Sequence, residues 1–117
     1  MRQIKTEIFG FGSNNARAMD RTIYLSNFVV KPSDIYSVNI YSHCDNFCTL
    51  KVDTTTLLNH VYNHVGADTT QFYDGTYLLE NYNFTDSSFI YLRVDDDYRW
   101  DPVVAYAYSF EFLIKSH

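Results

Sequence analysis

Four residues in this chain have the types and spacing to hold a metal: Cys44, Cys48, His60 and His64, written C-x3-C-x11-H-x3-H. Thiolate sulfur and imidazole nitrogen are the donors Zn²⁺ prefers, and four of them close a tetrahedral shell. These are the only two cysteines of the chain and two of its four histidines. Four protein ligands leave no open position for water, so the chemistry expected is a structural Zn²⁺ rather than a catalytic one. His43, beside Cys44, is the alternative fourth ligand.

The second constellation is Asp95-Asp96-Asp97-Tyr98-Arg99-Trp100-Asp101. As a calcium loop it fails, because Trp100 stands where glycine is needed and Tyr106 where the bidentate glutamate is needed. Asp95, Asp97 and Asp101 with Tyr98 and Trp100 instead combine charge with rigid aromatic area, which suits a partner-binding surface. No residues are assigned a catalytic role. His-Glu-x-x-His, Gly-x-Ser-x-Gly and the phosphate-binding loop are absent from the sequence, and Gly10-Phe11-Gly12 lacks the third glycine of a dinucleotide fingerprint.

These residues must be positioned by one domain, residues 1–117, since a chain of 117 residues builds one modest core. Aromatic residues make up 18% of it, eleven of them Tyr and nine Phe, and such side chains favour half-buried strands. Strands are expected over 2–9, 22–30, 35–44, 47–52, 76–84, 89–94 and 103–114, and a short helical turn over 16–20. The stripe Tyr106, Tyr108, Phe110 and Phe112 at period two reads as core packing. One main helix is expected over about 54–65, capped by Asp53 or Thr54 and stopped by Gly66, with His60 and His64 one turn apart. A three-residue loop 45–47 pairs Cys44 with Cys48, Ser42 with Leu50 and Ile40 with Val52, the hairpin register that gathers apolar residues on one face. The fold class expected is therefore α+β, mainly antiparallel sheet, with a zinc-bound hairpin and helix unit at about 40–65.

On these residues the stretch 40–65 resembles a C2H2 zinc finger, whose ββα unit carries two cysteines on a hairpin and two histidines on the next helix. Leu57 holds the family's leucine position before His60, whereas Ser42 stands where the family has an aromatic. The helix start, Asp53-Thr54-Thr55-Thr56, has no cation or amide to read base edges, so the resemblance implies a structural site without base recognition. In general character the whole chain also resembles small phage-encoded anti-CRISPR inhibitors, which implies stoichiometric binding to an effector nuclease that blocks guide or target DNA loading.

The formal net charge is −5 with no basic stripe, which disfavours direct nucleic-acid binding and suits a protein partner with a basic surface. No apolar run is long enough to span a bilayer, and the first residues lack a signal-peptide core, so the expected location is cytoplasmic, in the host cell if phage-encoded. The function expected is a non-enzymatic, zinc-stabilised inhibitor. A zinc-dependent hydrolase or nuclease and a phage structural or interaction protein are the alternatives.

Overall fold

Alternation of large apolar with small or polar residues runs through the last strand and sets the pattern for the molecule. Tyr108, Phe110, Phe112 and Ile114 point inward and are buried, while Ala107, Ser109 and Glu111 between them point outward. The computed structural model describes residues 1–13, 19–45, 47–60, 72–95 and 103–115. They form eight strands: β1 (Arg2–Ser13), β2 (Met19–Tyr24), β3 (Ile35–Asp45), β4 (Phe47–Val52), β5 (Thr55–His60), β6 (Phe72–Glu80), β7 (Phe89–Asp95) and β8 (Val103–Ile114). Two short 3₁₀ turns, Leu25–Asn27 and Pro32–Asp34, lie between β2 and β3.

Two four-stranded antiparallel sheets result, with strand orders β1-β8-β3-β6 and β2-β7-β4-β5. The pairs β1–β8, β2–β7, β3–β6 and β4–β5 are those of one long hairpin folded at the β4–β5 turn, and β3–β8 and β4–β7 zip the rolled hairpin against itself. This is the order of an eight-stranded jelly roll. Inward residues of both sheets form one core, among them Val38, Ile40, Phe110 and Phe112 from the first sheet and Leu50, Val52, Ile90 and Leu92 from the second. Phe28 stacks on Phe110 and Phe112 at ring separations of 6.4 and 6.1 Å. Each such fully buried side chain contributes about 1.5–3 kcal/mol of transfer free energy.

Three expectations are corrected. There is no α-helix among the described residues: 55–60 form strand β5, so the α+β class with a main helix at 54–65 gives way to an all-β sandwich, and the finger-like ββα arrangement loses its helix. Residues 61–65 of that expected helix lie outside the described residues. The physical reason is local. Thr55 and Thr56 are β-branched and favour strands, and a bulge in β5 at Leu57, the extra residue between the Leu50–Leu58 and Lys51–Thr56 pairs, lets Leu58 reach the core while Leu57 packs against its margin.

The second correction concerns the hairpin. β3 and β4 do not pair; they lie in opposite sheets, so the chain crosses the sandwich after Asp45. Gathering Ile40, Ser42, Leu50 and Val52 on one face is a demand that two strands facing each other across a core meet as well as a hairpin does. Third, 19–24 form strand β2 rather than the end of a helical turn, and β2 ends at Tyr24 where a strand to 30 was expected.

Asp53, expected to cap a helix, instead makes the tight turn between β4 and β5 at φ 52°. Aspartate tolerates this left-handed conformation better than most residues. Its carboxylate accepts hydrogen bonds from the Tyr82 hydroxyl at 2.6 Å, the Ser88 hydroxyl at 3.0 Å and the Phe89 amide at 3.0 Å. Its own amide donates to the Phe89 carbonyl at 2.9 Å. Burial, then the Asp53 carboxylate, push the Tyr82 phenol above its ordinary range.

Candidate functional site

The residues expected to bind zinc are distributed over both sheets. Cys44 on β3 and Cys48 on β4 are buried and joined by a disulfide, with Cα atoms 6.5 Å apart. The bond ties the two sheets where the chain crosses between them. β5 sets the backbone of His60 opposite Cys48, and His64 lies outside the described residues. Sulfurs bonded to each other are not the thiolates that zinc needs, so in this state the donor set does not fit the ion. Among the described residues, no three His, Cys, Asp or Glu side chains converge as a metal site.

His43 faces outward from the sheet, on the side opposite Cys44, and its Nδ1 meets the Asp74 carboxylate. Of the expected partner surface, Asp95 is the last residue of β7, paired in register with Phe47. Asp97, Tyr98, Trp100 and Asp101 lie outside the described residues.

A different site is built on the outer face of the first sheet. Reading the register across β1, β8, β3 and β6 gives three rows of outward positions: Phe9–Ala107–His43–Asp74, Glu7–Ser109–Tyr41–Thr76 and Lys5–Glu111–Asn39–Leu78. Strands lie about 4.8 Å apart, so β1 and β3 side chains stand roughly 10 Å apart across β8. Because β8 offers only Ala107 and Ser109 there, a trough of about 650 Å³ opens over them. Phe9 and Glu7 form one wall, Tyr41 and His43 the other, and Asp74 and Thr76 extend the second wall.

The walls are held unequally. The Tyr41 hydroxyl accepts from Asn39 Nδ2 at 2.9 Å and donates to Glu111 Oε2 at 3.3 Å. Lys5 Nζ sits 3.3 Å from Glu111 Oε1 and balances that charge. Glu7 has no such partner among the described residues, and Phe9 is 75% exposed. Beneath the floor Tyr108 is buried, and that burial pushes its phenol well above the ordinary range, with Ser42 offsetting part of the shift. The trough therefore joins a floor of small side chains, two aromatic walls and an uncompensated carboxylate.

Reading the sequence for motifs did not find this site. The signal was nonetheless present in 106–110, where Tyr, Ala, Tyr, Ser and Phe alternate: large residues take one face and small residues the other. Small residues on the outer face of a central strand leave a hollow between the neighbouring strands.

No protein-family model matches the chain, and no curated protein matches it. What the fold and this site define is a jelly-roll sandwich with a grooved outer sheet. Among the described residues no helix is long and apolar enough to cross a membrane.

Proposed function

We propose that this protein is a stoichiometric binding module that receives a Lys- or Arg-bearing segment of a protein partner in the trough of its first sheet. The observation that carries the reading is Glu7, unpartnered among the described residues, beside exposed Phe9 over the side-chain-poor floor of Ala107 and Ser109. A long basic side chain can lay its methylene stem along that floor, bring its cation to Glu7 and present it to the Phe9 or Tyr41 ring. The negative net charge steers such a partner toward the molecule.

Coat and lectin domains use the same sandwich, but the fold alone carries no function; the trough is the feature that supports binding. Inhibition of a nucleic-acid-handling effector, anti-CRISPR-like, is the narrower form of this proposal. A surface that grips phosphates is rich in the side chains the trough accepts.

The test is calorimetric titration of an extended peptide of alternating Lys and Arg at fixed ionic strength. The expected result is one-to-one binding, recovery of intact peptide, and an affinity loss of about tenfold or more, at least 1.4 kcal/mol, in Glu7→Gln and Ala107→Trp. Equal affinity in Ala107→Trp, or cleavage of the peptide, would overturn the reading.

A structural zinc on Cys44, Cys48, His60 and His64 is a proposal for the reduced chain alone, because the disulfide consumes both thiolates. Elemental analysis after reduction decides it: one zinc per chain supports the site, and none removes it. The same disulfide supports an oxidising compartment over the cytoplasm expected from the first residues.

A further inference from the structure

The outer face of the second sheet has the opposite character. A smaller hollow of about 290 Å³ is lined by Thr49 and Lys51 of β4, Thr56 and Asn59 of β5, and Tyr91 and Arg93 of β7. Every one of these side chains can donate a hydrogen bond, and none is a carboxylate. In register, Thr49 pairs with Arg93 and Lys51 with Tyr91, so Lys51 and Arg93 are diagonal neighbours on adjacent strands. Such neighbours lie about 7–8 Å apart, a span that one tetrahedral oxyanion can bridge.

The hollow is organised before any ligand arrives. Lys51 Nζ stands 6.0 Å from the Tyr91 ring centroid, and the Tyr91 hydroxyl donates to Asp20 Oδ1 at 2.7 Å, which fixes the ring. Asp20 is also the register partner of Arg93 on β2. It borders the hollow without lining it. An acidic chain that gathers two of its nine basic residues here concentrates positive charge where a small anion can use it.

We infer that this hollow is an oxyanion site for a phosphate or sulfate monoester. Lys51 and Arg93 supply the charge-assisted bonds, and Thr49, Thr56 and Asn59 supply neutral donors. Two cations in one pocket do not make the stripe that a nucleic-acid backbone requires, so the ligand is a single ester group. This site is independent of the trough on the first sheet, and neither reading depends on the other.

The experiment is an amide chemical-shift titration of the full chain with inorganic phosphate and with inorganic sulfate. Chloride is exchanged to hold ionic strength constant. Lys51→Gln and Arg93→Gln are compared with Lys5→Gln on the opposite face. Saturable shifts confined to β4, β5 and β7 are expected, weakened about tenfold or more in each pocket variant and unchanged in Lys5→Gln. Affinity for phosphate that rises from pH 5.5 to 7.5, while that for sulfate stays flat, assigns a phosphate ester, because phosphate gains its second charge near pH 6. Tighter binding of sulfate throughout assigns a sulfate ester. Shifts that never saturate, or that persist unchanged in Lys51→Gln with the variant folded, overturn the inference.

Discussion

The two ends of β4 solve the same problem by different chemistry. At the start of the strand the chain has just crossed from one sheet to the other, and the Cys44–Cys48 disulfide fastens the crossing covalently. At the other end it must reverse within a tight turn, and there Asp53 fastens the turn with three side-chain hydrogen bonds to the 81–89 segment. The first tie answers to redox state and ignores protons. The second ignores redox state and depends on an acceptor charge and on a phenol that must keep its proton. Each end also stands near one of the two outer faces. Cys44 follows His43 of the trough, while Asp53 stands two residues after Lys51 of the oxyanion hollow.

The largest effect is expected at the turn. Asp53→Ala leaves three donors without an acceptor and forces alanine into a left-handed backbone, a loss of about 3 kcal/mol by urea unfolding. Asp53→Asn, which tolerates that backbone and keeps one acceptor oxygen, should recover more than half of it. A full recovery would show that backbone conformation rather than charge holds the turn.

At the crossing, replacing both cysteines by serine is expected to cost about 2 kcal/mol, the loop-closure value for so short a span. The variant should match the reduced wild-type protein, and no difference between oxidised and reduced wild type would remove the covalent tie from the comparison. Tyr82→Phe deletes one hydrogen bond to Asp53 and should cost about 1 kcal/mol.

The pH dependence follows from the same phenol. A group whose folded pKa is raised contributes stability that is whole below its unfolded value and is lost as pH climbs toward the folded one. Tyr82 and Tyr108 are both raised, so stability should decline from about pH 10 upward. Tyr82→Phe should make that decline shallower. An unchanged alkaline slope in the variant would place the whole effect on Tyr108.

The smallest quantity is the sharpest. Cys48 and Asp53 are five positions apart, at the start of β4 and in the turn just past its end, roughly 16 Å, so the cysteine and Asp53 substitutions should add to within about 0.5 kcal/mol. A larger coupling would mean that the two ends act as one unit.

Where the sequence was legible, it was so through period-two alternation. The aromatic stripe of β8, read as core, is core: Tyr108, Phe110 and Phe112 are buried. The strands over 35–44, 47–52, 89–94 and 103–114 were legible for the same reason. At the crossing, proximity of Cys44 and Cys48 could be read from their spacing, but not which sheet each strand joins, because inward alternation is the same for a hairpin and for two strands facing across a core. At the turn, Asp53-Thr54 has the chemistry of a helix cap and of a tight turn alike, and Leu57 and Leu58 satisfy a helical face as readily as a bulged strand. Partners 29 to 36 residues away along the chain settle it, and local pattern does not contain them. The trough was hidden because its floor is made of Ala107 and Ser109, small residues that form no motif.

The rolled hairpin has a temporal side. β4 and β5 can meet as soon as both exist, whereas Arg2 finds its partner in Ile114 and, among the described residues, β1 pairs with β8 alone. Closing the short loop costs little and closing the long one costs most, so pairing proceeds outward from the Asp53 turn toward the termini. During synthesis, β1 leaves the ribosome before its partner β8 and is the last of these eight strands to be paired. Until then its open edge and the still-absent floor of the trough leave the first sheet unfinished, and topologies dominated by such distant pairings fold slowly.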